Sequence, residues 1–301
     1  MQHYIFAPSS SFILALILAL ILDSLLPELP LPAGLRKRVG AWVQAVGKRS
    51  LFVQRIIFVL MGALIVIAAL ALLRFLDGQT ELLAVVLMAL MLKLQFGFWP
   101  IFERVQTAYK DLRADPNSDP VDAAEGANPN AQNIVALSHA FNYRFFSPLV
   151  LALVAGLPGV LGYRFICLCH GACVDEDTET GFARAATLSH HIIHYLPTQL
   201  LVALVWFAAV LRRESLLRLR YLWPHVQSYD IRDNERLLVL IATLLGIQLE
   251  HRENTHTNST NTPATAIDIR RCSLLLTLTF VISSSLLVLL PYTLMLVARQ
   301  T

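Results

Sequence analysis

Between Arg55 and Arg74 the chain runs for eighteen residues, 56–73, without one charged side chain. At 1.5 Å of rise per residue, such a run is close to the length an α-helix needs to cross the hydrocarbon core of a bilayer. Similar runs recur along the chain, gathered into blocks rather than alternating with strand period. The residue inventory agrees. Of 301 residues, 56% are hydrophobic and 15% charged, and the mean hydropathy is +0.59. Soluble domains carry about a quarter charged residues, so the expected fold class is all-α, a polytopic helical membrane protein. A net charge of +3, with basic residues gathered at the edges of apolar runs, gives no footing for a nucleic-acid partner; the partner the composition demands is the lipid bilayer.

Taken in order, the apolar blocks place spans near 10–29, 56–73, 82–99, 145–169, 195–211 and 272–297, in a single integral membrane domain covering 1–301. Polar loops are expected at 100–143, 174–182 and 212–271. The first block lacks the basic flank and small-residue cleavage site of a signal peptide and reads as a retained helix. Residues 31–55 hold Arg36, Lys37, Arg38, Lys48, Arg49 and Arg55 without an acid, which marks that loop as cytoplasmic and puts the N-terminus outside. Leu35, Val39, Trp42, Val43 and Val46 recur there at helical spacing, as in a basic amphipathic helix lying on the inner leaflet. Arg212, Arg213, Arg218 and Arg220 form a second cytoplasmic signature, and Arg270 and Arg271 precede the last span. Residues 237–249 read as a short helix on or near the membrane. Residues 114–132 read as a mobile loop and 253–265 as a linker. Six spans leave both termini outside.

The block 145–169 is interrupted by Gly156-Leu157-Pro158-Gly159. Glycine loosens a helix and proline removes a donor and clashes with the preceding turn, so this segment is either one broken span or a re-entrant hairpin. Asp23 in the first block and Lys93 in the third are ionisable groups at membrane depth, read either as boundary groups reaching the headgroups or as buried and paired.

Two groups of residues around the break carry chemistry. Cys167, Cys169, His170 and Cys173 lie within seven residues, and His190 and His194 share a helix face at i, i+4, a spacing that can set two imidazoles on one ion. Cys-x-Cys-His-x-x-Cys matches no common zinc or haem pattern, and small buried cysteines with interfacial histidines are the plainer reading. Asn142 and Arg144 stand where the broken block begins. A guanidinium there can clamp a phosphate or carboxylate, or anchor to lipid headgroups. No phosphate-binding glycine loop or nucleophile elbow occurs in the sequence.

The segments Asn142-Tyr143-Arg144-Phe145-Phe146-Ser147-Pro148-Leu149, then Gly156 to Gly159 with Tyr163, then His194-Tyr195-Leu196-Pro197-Thr198-Gln199-Leu200 resemble the AmpE branch of the CobD/CbiB superfamily. That superfamily contains the cobalamin-biosynthesis enzymes of the membrane; its AmpE branch comprises bacterial inner-membrane proteins linked with β-lactamase induction. The resemblance implies a multi-pass protein of the bacterial inner membrane, so the outer side assigned to the N-terminus by the basic loops would be the periplasm. It also implies departures from the enzymes: Phe141-Asn142 where they carry Glu-Asn, His190-His191 where they carry a pair of aspartates, no acid in 166–174, and Gln199 in place of an arginine. A nucleotide-dependent amide-forming reaction needs such acids for magnesium or proton transfer. The implied function is therefore accessory or regulatory, signalling or scaffolding without catalytic turnover and without a cofactor. Its ligand pocket would be lined by Asp23, Asn142, Arg144, Tyr163 and His194, for an anionic small ligand or a membrane or envelope protein partner. An adenosylcobinamide-phosphate synthase relative and a membrane metal-handling or transport protein, using Cys167, Cys169, His170, Cys173 and His190, are the alternatives.

Overall fold

The computed structural model describes residues 10–25, 33–77, 81–93, 102–103, 105–107, 110, 128–175, 180–212, 235–248 and 262–300. The main helices are α1 (Ser10–Leu25), α2 (Ala33–Gly47), α3 (Leu51–Asp77), α4 (Glu81–Lys93), α5 (Pro129–Phe141), α6 (Ser147–Asp175), α7 (Gly181–Leu211), α8 (Glu235–Leu245) and α9 (Ala266–Gln300). A π-helical turn, Asn142–Phe146, joins α5 to α6. Among the described residues, the regular structure besides helix is a two-residue parallel pair, β1 (Ile247–Gln248) with β2 (Thr262–Pro263).

Four of these stretches are long and apolar enough to cross a membrane: Leu51–Leu76, Pro129–Val174, Gly181–Leu211 and Ile267–Leu286. The described parts of the first and third expected spans, Ile13–Leu22 and Leu82–Lys93, are apolar but shorter. Only 11% of the most apolar window in α3 is buried inside the protein, and Phe52 is 73% exposed. A helix that presents this much apolar surface is stable only with hydrocarbon around it. The chain is a helical membrane protein.

Contacts divide the chain into two compact units, one of residues 1–97 and 144–197, the other of 98–143 and 198–301. In the first unit α1 packs on α4. Ala15, Leu16 and Ala19 are buried on α1, and Val85, Met88, Ala89 and Leu92 on α4; small residues let two helices approach where lipid supplies no hydrophobic drive. Lys93, at the end of α4, is 1% exposed. It does not snorkel, and it engages neighbouring groups. The amphipathic helix expected near 35–46 is present as α2, but protein covers its apolar side. Val43 and Val46 join Phe58, Cys169, Ala172, Cys173, Phe182, Ala183 and Ala186 in one buried cluster, with Val39 and Trp42 packed against it.

α6 is broken where glycine and proline predict it. Gly156 has φ 62° and ψ −154°, a backbone region essentially closed to side chains. A methyl group at Gly159 would stand 2.5 Å from the Ala155 Cβ and 3.0 Å from the Leu151 carbonyl oxygen, so the kink needs glycine twice. Gly156→Ala is expected to destabilise the purified protein by about 1–3 kcal/mol, read as earlier loss of helical signal on titration with a denaturing detergent. Wild-type resistance in that variant would mean the kink is not the ground state.

In the second unit a polar knot ties three helix ends. Asn128 caps α5, its Oδ1 accepting from the Asn130 and Ala131 amides at 2.9 and 3.3 Å, with Pro129 at the first helical position. Its Nδ2 donates to the Ala264 carbonyl at 3.0 Å. Asp268 reaches back to accept from the Thr265 amide at 3.0 Å and hydroxyl at 2.7 Å, the acid half of a capping box. Arg271 pairs with Asp268 at 3.3 Å and donates to the Leu245 carbonyl at 3.2 Å, tying the end of α8 to the start of α9. Gly246, with φ 72°, closes α8 by donating to the Ala242 carbonyl at 2.8 Å. Residues 129–141, expected within a polar loop, are therefore helical, because an Asn-Pro pair starts the helix and Ile134, Leu137 and Phe141 bury one side of it. Residues 111–127 and 249–261, which include most of the expected mobile loop and linker, lie outside the described residues.

Candidate functional site

The site assembles on facing flanks of α6 and α7 within the first unit. Tyr163, Cys167 and His170 recur at i, i+4 and i+7, so one side of α6 carries all three. On α7, His190 and His194 stand one turn apart, with ring centroids separated by 4.3 Å. The Sγ of Cys167 lies 3.8 Å from Nε2 of His194. The other ring nitrogen of His194, Nδ1, is 3.2 Å from the Ser147 hydroxyl. Tyr163, buried, sets its ring edge-on to His194 with centroids 5.0 Å apart, and its hydroxyl hydrogen-bonds the Cys167 side chain. His170 stacks on His190 at 4.2 Å, and its Nδ1 lies 3.3 Å from the Thr187 hydroxyl. His191 stands farther off, 6.0 Å from His190 between ring centroids.

These contacts fix the rings. His194 is held at both nitrogens and across one face, and His190 sits between His170 and His194. One donor atom from each of Cys167, His190 and His194 lies within 4.8 Å of the other two. Among the described residues this set of Cys and His groups is the one that converges closely enough to share a metal ion.

The remaining residues singled out in the sequence have surroundings of their own. Cys169 and Cys173 face away from the histidines and fill the apolar cluster with Phe58 and Phe182. All four cysteines are free thiols. Asn142 is fully buried in the second unit, where its Nδ2 donates to the Thr198 hydroxyl at 2.9 Å. Arg144 belongs to the first unit, is half-buried on the π-helical turn, and engages neighbouring groups. Asp23 lies on α1, and its side chain is outside the described residues. Ser147 and Thr198 stand in the segments that carry the resemblance but were given no role there, and Thr187 was not singled out. Ser147 and Thr198 lie 47 and 56 residues from the groups they bond, and nothing in their own segments names those partners.

Comparison with known protein families, with characterised proteins and with solved structures finds no match to this chain.

Proposed function

We propose that this chain is an accessory or regulatory protein of the AmpE type in the bacterial inner membrane, signalling or scaffolding in cell-envelope stress or β-lactamase induction. The observation that supports it is the use made of the residues carrying the resemblance. Asn142 bonds Thr198, and His194 bonds Ser147, inside helices of membrane length. Such pairs hold helices in register, and a π-helical turn like the one at Asn142–Phe146 often marks a functional position. Arg144, on that turn, is the group suited to an anionic ligand or to an acidic partner.

In this reading six spans leave both termini in the periplasm, and the loop near residue 178 is periplasmic. Cys173 is too buried to report on that loop, whereas Val174 is 63% exposed. A Val174→Cys variant without other cysteines should react with a membrane-impermeant thiol reagent on intact cells. Reaction only after permeabilisation would require the 145–169 block to be a re-entrant hairpin. For the role itself, deletion of the gene should alter β-lactamase induction, and the wild-type copy should restore it. A copy carrying Asn142→Ala and Arg144→Ala, inserted at the wild-type level, should not. Full restoration by that variant would reject the ligand role, and unaltered induction in the deletion strain would reject the AmpE-type function.

A further inference from the structure

We infer that Cys167, His190 and His194 form a three-ligand site for a soft metal ion, and that the ion is Cu(I). Ligands 2.0–2.3 Å from a shared ion stand roughly 3.3–3.8 Å apart in trigonal or tetrahedral geometry. The Cys167 sulfur and His194 Nε2 already meet that at 3.8 Å, and the His190 nitrogen lies within 4.8 Å of both. A movement of about 1 Å, within the reach of a side-chain torsion, completes the set.

The surroundings are those of a ligand set rather than of three side chains packed by chance. Ser147 lies against the far nitrogen of His194, and by accepting from Nδ1–H it would leave the Nε2 lone pair free for an ion beside Cys167. His190 is a second imidazole on the same flank of α7, its plane fixed by the stacked ring of His170. His170 itself is held by Thr187 and stays outside the set. The Tyr163 hydroxyl beside Cys167 supplies a hydrogen-bond donor to the thiolate that metal binding creates.

The identity of the ion follows from charge and softness. One thiolate and two neutral imidazoles carry a total charge of −1. With a monovalent ion the centre is neutral; with a divalent ion it keeps +1 inside helices of membrane length, where unpaired charge is costly. The thiolate is a soft donor that suits Cu(I), and imidazole suits copper; Zn2+ takes the same donors, so the charge balance is what favours the monovalent ion. On binding, the Cys167 thiol loses its proton to solvent as the S–Cu bond forms, and copper stays Cu(I) throughout. The metal enters between the Cys167 sulfur and His194 Nε2, now 3.8 Å apart.

The test is Cu(I) titration of the full-length protein in detergent micelles against a colorimetric Cu(I) chelator, under anaerobic reducing conditions. One Cu(I) per chain is expected, with an X-ray absorption spectrum fitted by one sulfur and two imidazole nitrogens. Cys167→Ser and His194→Gln should each weaken binding by about 100-fold or more, as loss of a first ligand exceeds the 10–100-fold cost of losing its supporting partner. Cys169→Ser and Cys173→Ser should leave the affinity within about threefold, a change of roughly 0.7 kcal/mol. A spectrum of the unmodified protein without sulfur, or binding that follows Cys169 and Cys173, would overturn the site. Zn2+ displacing Cu(I) at equal concentration would overturn the choice of ion. Absence of stoichiometric Cu(I) would reduce the cluster to a hydrogen-bonded helix contact.

Discussion

Gln54→Leu is expected to lower the unfolding free energy of the protein in micelles by about 1–3 kcal/mol, the cost of orphaning the buried Phe182 amide, with the part-buried Gly47 and Arg49 carbonyl contacts adding less. Gln54 lies in the first turn of the most lipid-exposed helix, yet it is only 2% exposed. Its Nε2 donates to the Gly47 carbonyl at 2.9 Å and the Arg49 carbonyl at 2.7 Å, and its Oε1 accepts from the Phe182 amide at 3.0 Å. One amide thus satisfies the open end of α2 and the open start of α7 together. Those are the backbone groups a helix cannot bond to itself. Gly181 completes the arrangement by standing where a methyl would lie 2.8 Å from Leu51 Cδ2 and 3.0 Å from Gln54 Oε1. Gln54→Glu separates shape from hydrogen bonding. It keeps the acceptor for Phe182 but offers oxygen to two carbonyls, so it should be nearly as damaging as Leu. Retention of stability within about 0.5 kcal/mol in both variants, as for an ordinary surface change, would reject the clamp.

What the sequence discloses, and what it hides, follows from how far apart the interacting groups lie. The apolar blocks were legible because lipid demands long uninterrupted runs, and each was helical wherever it is described. The kink at Gly156 was legible because glycine and proline act on their own backbone. The basic amphipathic helix was legible as a helix, but the sequence has no way to say that α6 and α7, rather than lipid, lie against Val43 and Val46. The start of α5 left a local signal, Asn128 followed by Pro129, that composition overrode. Helical period also separates the cysteines. At 100° per residue Cys167 and His170 share a side with Tyr163, while Cys169 and Cys173 share another. Gln54, Ser147, Thr187 and Thr198 were hidden for a different reason. Each is an ordinary polar residue whose significance comes from a partner on another helix.

Phe182→Ala should be the most destabilising single truncation in the first unit, by about 3–5 kcal/mol, the range for deleting a buried aromatic ring. The sequence placed Phe182 at the end of a polar loop, but it is fully buried in the second position of α7. Its ring meets Trp42 edge-on at 5.3 Å and Phe58 edge-on at 5.2 Å, and Phe58 in turn stacks on Phe165 at 5.7 Å. One side chain therefore bridges α2 to α3, and through Phe58 reaches α6. Phe182→Leu, which refills part of the volume, should recover a good part of the loss. Coupling to Gln54 is the sharper measurement, since the Phe182 amide is the donor Gln54 receives. Removing the ring frees the start of α7 to shift, so the combined Gln54→Leu and Phe182→Ala variant should lose less than the sum of the two, by more than about 0.5 kcal/mol. Strict additivity would mean that the clamp and the aromatic cluster stabilise the helix ends independently, and that α7 does not begin as one cooperative unit.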